Sequence, residues 1–146
     1  MLCKNQGLDF FKIRNLMSDN YKRNTNIPSA GFTAGPCLLK DTMQLSSFYN
    51  HKFSLFHSAM SINENLPIFI FKKLSEKYDL KKKTVGVLGL SFKAENDDIR
   101  DSLSIKLLKH LKLKKIRTLQ SDEYYIDKNN IDKNILVKPV SNCIRF

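Results

Sequence analysis

The sequence has 146 residues, and no apolar run in it reaches the roughly 20 residues that a membrane-spanning helix requires. Its opening, Met1-Leu2-Cys3-Lys4-Asn5, is too short and too polar for a secretory signal, so a cytoplasmic chain is expected. Cysteine is scarce: Cys3, Cys37 and Cys143 lie far apart and show no CxxC spacing, which argues against a disulfide framework or a zinc site. His51, His57 and His110 have no metal-ligand spacing either and read as solvated or core residues. No internal repeat occurs. Acidic residues are few, 14 against 25 Lys and Arg, and the net charge of +11 invites a nucleic-acid reading. The lysines are scattered, however, with only Lys81-Lys82-Lys83 as a tight run. Together with the abundance of Asn and Ile, this favours a solvated basic surface over a nucleic-acid site.

What is present is ordinary for a folded chain. Hydrophobic residues make up 42% of the sequence, which excludes wholesale disorder. Met1 to Gln6 reads as a last helical turn ended by Gly7, and Leu8 to Met17 as an amphipathic helix. Pro28, Ser29, Gly31, Gly35 and Pro36 break the stretch from Asn20 to Pro36 into loop. A helix follows at about Leu38 to Tyr49, with Leu38, Met43, Leu45 and Phe48 as buried candidates. Leu55, Ala59, Ile62, Leu66, Phe69, Ile70 and Leu74 then recur at helical steps from Ser54 to Lys77. Pro67 should kink or restart that helix.

The pattern changes at Thr84. Thr84 to Leu90 is a short apolar run bounded by charge, the mark of a buried strand. Asp101-Ser102 offers an N-cap for a helix to about Lys112, with Leu103, Leu107, Leu108 and Leu111 on one face. Ile116 to Leu119 reads as a second strand. Strand, helix, strand opens a parallel α/β fold, although the chain has no room to complete its sheet. Beyond about Asp127 no period is visible. The fold class expected is therefore α then α/β: a helical central domain over residues 1–80 and an incomplete Rossmann-like parallel domain over 81–146.

The chemistry concentrates between Pro28 and Thr42, in Pro-Ala-Gly-rich sequence around one thiol. Ala30, Gly31, Ala34 and Gly35 let backbone N–H groups approach a ligand closely. Cys37 stands where a helix begins, and a helix N-terminus favours the thiolate. Asp41 lies one helical turn further on and can share a face with it, next to Lys40. A thiol nucleophile with a carboxylate to orient water suits covalent carbonyl chemistry. A lone cysteine at a helix start is otherwise more often structural.

Two segments resemble a known family. Gly31-Phe-Thr-Ala-Gly-Pro-Cys-Leu-Leu-Lys-Asp-Thr is similar to the catalytic-cysteine loop of the UDP-glucose and GDP-mannose dehydrogenases. Val85-Gly-Val-Leu-Gly-Leu-Ser-Phe-Lys-Ala-Glu-Asn-Asp-Asp-Ile-Arg-Asp-Ser102 resembles the opening of that family's C-terminal UDP-binding domain. They occur in the family's order, with helices between, and the resemblance covers roughly Leu2 to Asp122.

The resemblance implies an NAD-dependent nucleotide-sugar 6-dehydrogenase, which oxidises a sugar C6 alcohol twice. Cys37 would attack the intermediate aldehyde to form a thiohemiacetal. The second oxidation would leave a thioester for water to hydrolyse, with Asp41 positioning or activating that water. Phe32 and Gly35 would wrap the nucleotide sugar, Arg23 would reach the nucleotide sugar of a partner subunit, and Phe92 and Lys93 would contact substrate. Arg100 would contact an NAD phosphate, a role suited to a guanidinium. The central helices would form a homodimer interface. A nucleotide sugar is anionic and suits a basic cleft; nucleic-acid and membrane partners are not expected.

The sequence departs from the family pattern. Gly86-Val-Leu-Gly89 is not GxGxxG, so the family's Gly-rich dinucleotide fingerprint is missing, and so are its catalytic Lys and Asn. Residues 133–146 carry no further resemblance and read as a frameshifted or a foreign tail. The expectation is a truncated dehydrogenase, inactive alone. The alternative is a non-catalytic helical dimerisation module, and a nucleic-acid binder, motivated only by charge, stands third. Asp97-Asp98 could hold a cation, but turn and capping chemistry explains the pair better. Phe69-Ile70-Phe71 reads as core or interface.

Overall fold

The computed structural model describes residues 1–50, 52, 54–122 and 124, and it divides the chain into two compact units, Met1–Gly31 and Phe32–Phe146. In the first, α1 (Leu2–Asn5) is a single turn that ends as expected, at Gly7 with φ +69°. Helix α2 (Phe10–Ser18) starts two residues after the expected Leu8. The cause is Asp9, whose carboxylate caps the Phe11 and Lys12 N–H groups at 2.9 and 3.1 Å. A 3₁₀ turn at Lys22–Asn24 follows in the stretch read as loop. The Arg14 Nε–H, donating to the Ile27 carbonyl at 2.8 Å, holds that stretch against α2.

Among its described residues, the second unit is mostly helical with one small sheet. Its helices are α3 (Pro36–Phe48), α4 (Ser54–Glu64) and α5 (Leu66–Lys77). Helix α3 begins two residues before the expected Leu38, because Pro36 occupies the first turn, where its missing N–H costs nothing. The long helical pattern breaks at Asn65, and Pro67 sits in the first turn of the restarted helix. Then come β1 (Thr84–Leu88), α6 (Leu103–Leu113) and β2 (Arg117–Ser121). The strands are parallel and adjacent, Thr84 pairing with Arg117 and Leu88 with Ser121. Helix α6 is the crossover that a parallel pair demands.

The core lies between α5, α6 and the sheet. Leu74, Leu80, Val87, Leu90, Leu107, Leu108, Leu111 and Ile116 form its buried cluster. All four leucines expected on the inner face of α6 are buried, Leu111 completely. This core runs across residues 80 and 81, joining the last helix before the sheet to the sheet itself. Two expectations about burial fail. Only Val87 of β1 is buried, because the described sheet has two strands and little covers its other positions. On α3, Leu45 and Phe48 (81% exposed) face outward rather than inward, while Leu55 (62%) and Ile62 (60%) on α4 are exposed as well. Ser46 is the buried residue of α3, and α4 has none. No described helix is long and apolar enough to cross a membrane.

Candidate functional site

The site is built where β1 and β2 end. Beyond Leu88, Gly89 takes φ +82°, a left-handed conformation that favours glycine, and this ends the strand short of Leu90. Its N–H still donates to the Ser121 carbonyl at 2.9 Å. The chain then turns across the crest of the sheet. The Leu90 and Ser91 N–H groups both donate to Oδ2 of Asp122, at 2.5 and 2.9 Å, and the Ser91 hydroxyl reaches the same oxygen at 3.2 Å. A loop closed by the Phe92 N–H on the Asp98 carbonyl, at 3.0 Å, leads back to α6. Sequence reasoning missed Asp122. Its partners lie more than thirty residues away, and no local pattern announces such a bond.

An open crevice of about 590 Å³ lies outside these strand ends, where α/β sheets take ligands. Phe32 and Ala34 line it from one side, the stretch from Gly89 to Asn96 from another, and Asp122 and Tyr124 from the end of β2. Phe92 and Lys93, both expected substrate contacts, line it together with Phe32. Lys93 is exposed and brings a positive charge to the mouth.

Gly35 connects this crevice to the cysteine. It is buried, caps the N-terminus of α3 and has φ +142°. The Phe92 ring lies over it, with two ring carbons 3.3 Å from where a Cβ would stand. Cys37 is exposed in the first turn of that helix. Asp41 is exposed one turn on, its carboxylate 3.3 Å from the Lys40 ammonium. On the other flank of the loop, Asn63 of α4 bonds Thr33 twice, accepting from its N–H at 3.3 Å and donating to its carbonyl at 2.6 Å. This pairing was also invisible in sequence.

Arg100 ends the loop that begins at Phe92. Its Nε and Nη2 both bond the Asp98 carboxylate, the latter at 2.6 Å, and its backbone N–H donates to Asp98 Oδ1 at 2.9 Å. The turn-and-capping reading of Asp98 therefore holds. The hydrogen bonds from Arg100 hold the Asp98 carboxyl below its ordinary value. Asp98 in turn raises the Arg100 guanidinium, and the negative charges of Cys37 and Asp101 add to that in smaller measure. Arg23 belongs to the first unit, exposed on the 3₁₀ turn. His110 stacks edge-on against Phe71 at 4.7 Å, as a core-side histidine would. His51 and Cys143 fall outside the described residues. No cluster of three or more His, Cys, Asp or Glu suited to a metal occurs among the described residues.

A parallel β–α–β unit thus carries a crevice at its strand ends, next to the loop that leads into the Cys37 helix. Residues 86–144 match the UDP binding domain of the UDP-glucose/GDP-mannose dehydrogenase family. That match continues through most of 133–146, so the expectation that the resemblance stops at residue 133 is corrected. The sequence is 31% identical over 114 residues to the UDP-glucose 6-dehydrogenase of Haloferax volcanii, covering 75% of this chain and 26% of that protein. It is 30% identical over 126 residues to the UDP-N-acetyl-D-mannosamine dehydrogenase of Pyrococcus horikoshii, covering 81% and 30%. The solved UDP-D-ManNAc dehydrogenase from Pyrococcus horikoshii superposes with a TM-score of 0.69 at 25% identity, over 91% of this chain and 33% of that one. A GDP-mannose dehydrogenase from Pseudomonas aeruginosa gives 0.57 at 28% identity, over 81% and 28%. The chain belongs to the UDP-glucose/GDP-mannose dehydrogenase family and spans between a quarter and a third of the length of these relatives.

The family resemblance implies NAD, but the β1 turn does not fit its pyrophosphate. In dinucleotide folds the N–H groups of that turn face the phosphates. Here the Asp122 carboxylate holds the N–H groups of Leu90 and Ser91 and adds a negative charge beside them.

Proposed function

We propose that these residues form part of a nucleotide-sugar 6-dehydrogenase. Residues 1–80 correspond to its central dimerisation helices with the catalytic-cysteine loop, and 81–146 to the start of its UDP-sugar-binding α/β domain. The contact of Phe92 on Gly35 carries this reading, because it joins the crevice at the strand ends to the helix that begins with the cysteine. The nucleotide sugar lies in the crevice, with its phosphates drawn to Lys93 and its sugar directed toward Cys37. The Cys37 thiolate adds to an aldehyde at C6, forming a C–S bond while the carbonyl oxygen takes up a proton. Asp41, one turn along the same exposed face, holds a water for the later hydrolysis. Arg23 would reach the nucleotide sugar of a partner subunit, and Arg100 an NAD phosphate. The hydride acceptor, NAD, belongs to a Gly-rich domain of a kind these residues do not contain.

A second reading has its own support. The outward-facing Phe48, Leu55 and Ile62 suit a helical interaction module that needs no thiol. Titration calorimetry with UDP and UDP-glucose separates the two readings. The dehydrogenase reading requires saturable heat that Lys93→Ala weakens. A folded protein that takes up neither ligand leaves the interaction module.

A further inference from the structure

Asp122 sits at the end of β2, and the segment it binds carries Phe92. Successive N–H groups aimed at one point make an anion-binding concavity. Here the anion is the chain's own carboxylate, reaching back from the strand next door. Oδ2 takes Leu90, Ser91 and the Ser91 hydroxyl, while Oδ1 takes the Tyr124 N–H at 2.9 Å. The next residue after this tethered turn is Phe92. Its backbone is fixed on the far side by the Asp98 carbonyl, and its ring is seated on Gly35. Gly35 and Pro36 are the two residues immediately before Cys37.

We infer that Asp122 is a positioning residue for the cysteine loop: its carboxylate holds the Leu90–Ser91 turn, and the turn seats Phe92 on Gly35 at the head of the Cys37 helix. The inference rests on the reading of Cys37 as the nucleophile. The loop that follows Phe92 is itself held, by the Phe92 N–H on the Asp98 carbonyl and by Arg100 on the Asp98 carboxylate. Releasing the turn therefore unseats Phe92 and loosens the packing at the head of α3, where Cys37 is presented.

The test is the alkylation rate of Cys37 by iodoacetamide, located by mass spectrometry so that Cys3 and Cys143 are read separately. It is run on the whole chain without nucleotide. With Asp122→Ala the Cys37 rate falls by roughly three- to tenfold, since the thiol loses its fixed place in the first turn of the helix. The Cys3 rate stays unchanged. Formate, small enough to occupy the vacated concavity, restores the Cys37 rate, whereas chloride at the same ionic strength does not. A role in stability alone predicts no such anion-specific rescue. Should Asp122→Ala fail to fold, Asp122→Asn and Ser91→Ala remove the charge or one donor with less disturbance and must lower the rate in the same direction. A folded Asp122 variant whose Cys37 reacts at the wild-type rate, or whose deficit formate leaves untouched, overturns the inference. UDP binding is measured separately on the wild-type chain, so its absence would sink the nucleotide-sugar reading and leave this result to be read on its own.

Discussion

The Phe92 ring stands 3.3 Å from the position a Cβ would take on Gly35. Gly35 also holds φ +142°, a conformation that side chains strain to adopt. Gly35→Ala therefore meets two obstacles at once. It is expected to lower stability by about 1–3 kcal/mol through backbone strain, and to weaken UDP binding because Phe92 must leave its seat. Combining it with Phe92→Ala relieves the overlap but not the strain. Denaturant unfolding should then show a double-variant loss smaller than the sum of the two single losses. Strict additivity would mean that ring and glycine do not meet in solution.

The Arg100–Asp98 pair makes a pH prediction with a definite sign. Hydrogen bonds from Arg100 depress the folded-state titration of Asp98. A carboxylate depressed on folding contributes stability that is present above the ordinary aspartate range and is lost as the pH falls through the folded value. Asn at this position keeps an acceptor for the Arg100 N–H but removes the charge. The difference in unfolding temperature between the wild-type chain and Asp98→Asn should be largest near neutral pH and close at acid pH. The effect is small, since the Arg100 side chain is 71% exposed. A gap unchanged down to strong acid would show that the charge contributes nothing.

Much of this was readable in the sequence, for local reasons. The apolar run at Thr84 and the leucines at 103, 107, 108 and 111 carry the strand and helix periods directly, and the parallel pairing follows from the helix between the strands. Pro67 restarts its helix because the cause is a single residue. Periodicity also located the apolar stripe of α3 and α4, but it says only that a face is apolar, not what covers it. Leu45 and Phe48 were placed inside for that reason and lie outside. At the site, the Gly-rich loop and the Phe-Lys pair stood out through composition and motif. What joins them did not, because Asp122, Asn63 and the seat of Phe92 on Gly35 are contacts between residues about thirty or more positions apart.

These 146 residues by themselves should produce no NADH from UDP-glucose, other UDP-sugars or GDP-mannose. Hydride transfer requires the nicotinamide held against the sugar. The one β-turn suited by position to a pyrophosphate is filled by Asp122 among the described residues. The measurement is NADH formation by absorbance over long incubation, with Cys37→Ala as control. Turnover that disappears in the Cys37→Ala variant would show that the chain binds and uses NAD through residues not considered.

Self-association should proceed through α3, α4 and the start of α5. Phe48 and Tyr49 stand exposed at the end of α3, Leu55 and Ile62 on α4, and Ile68 on α5. So many large apolar side chains on neighbouring helices exceed the scattered exposure normal for a lone folded chain. A two-fold arrangement covers one such face with its own copy and closes on itself, which leaves no surface for further growth. The outer edges of the two strands, unpaired among the described residues, favour continued addition instead. Sedimentation across a concentration series distinguishes the outcomes. A helical interface gives a discrete dimer that Phe48→Asp or Ile62→Asp converts to monomer while the unfolding transition stays cooperative. Edge-to-edge addition gives a broad distribution that those substitutions leave unchanged. A wild-type chain that remains monomeric at high concentration, with cooperative unfolding, would contradict the interface altogether.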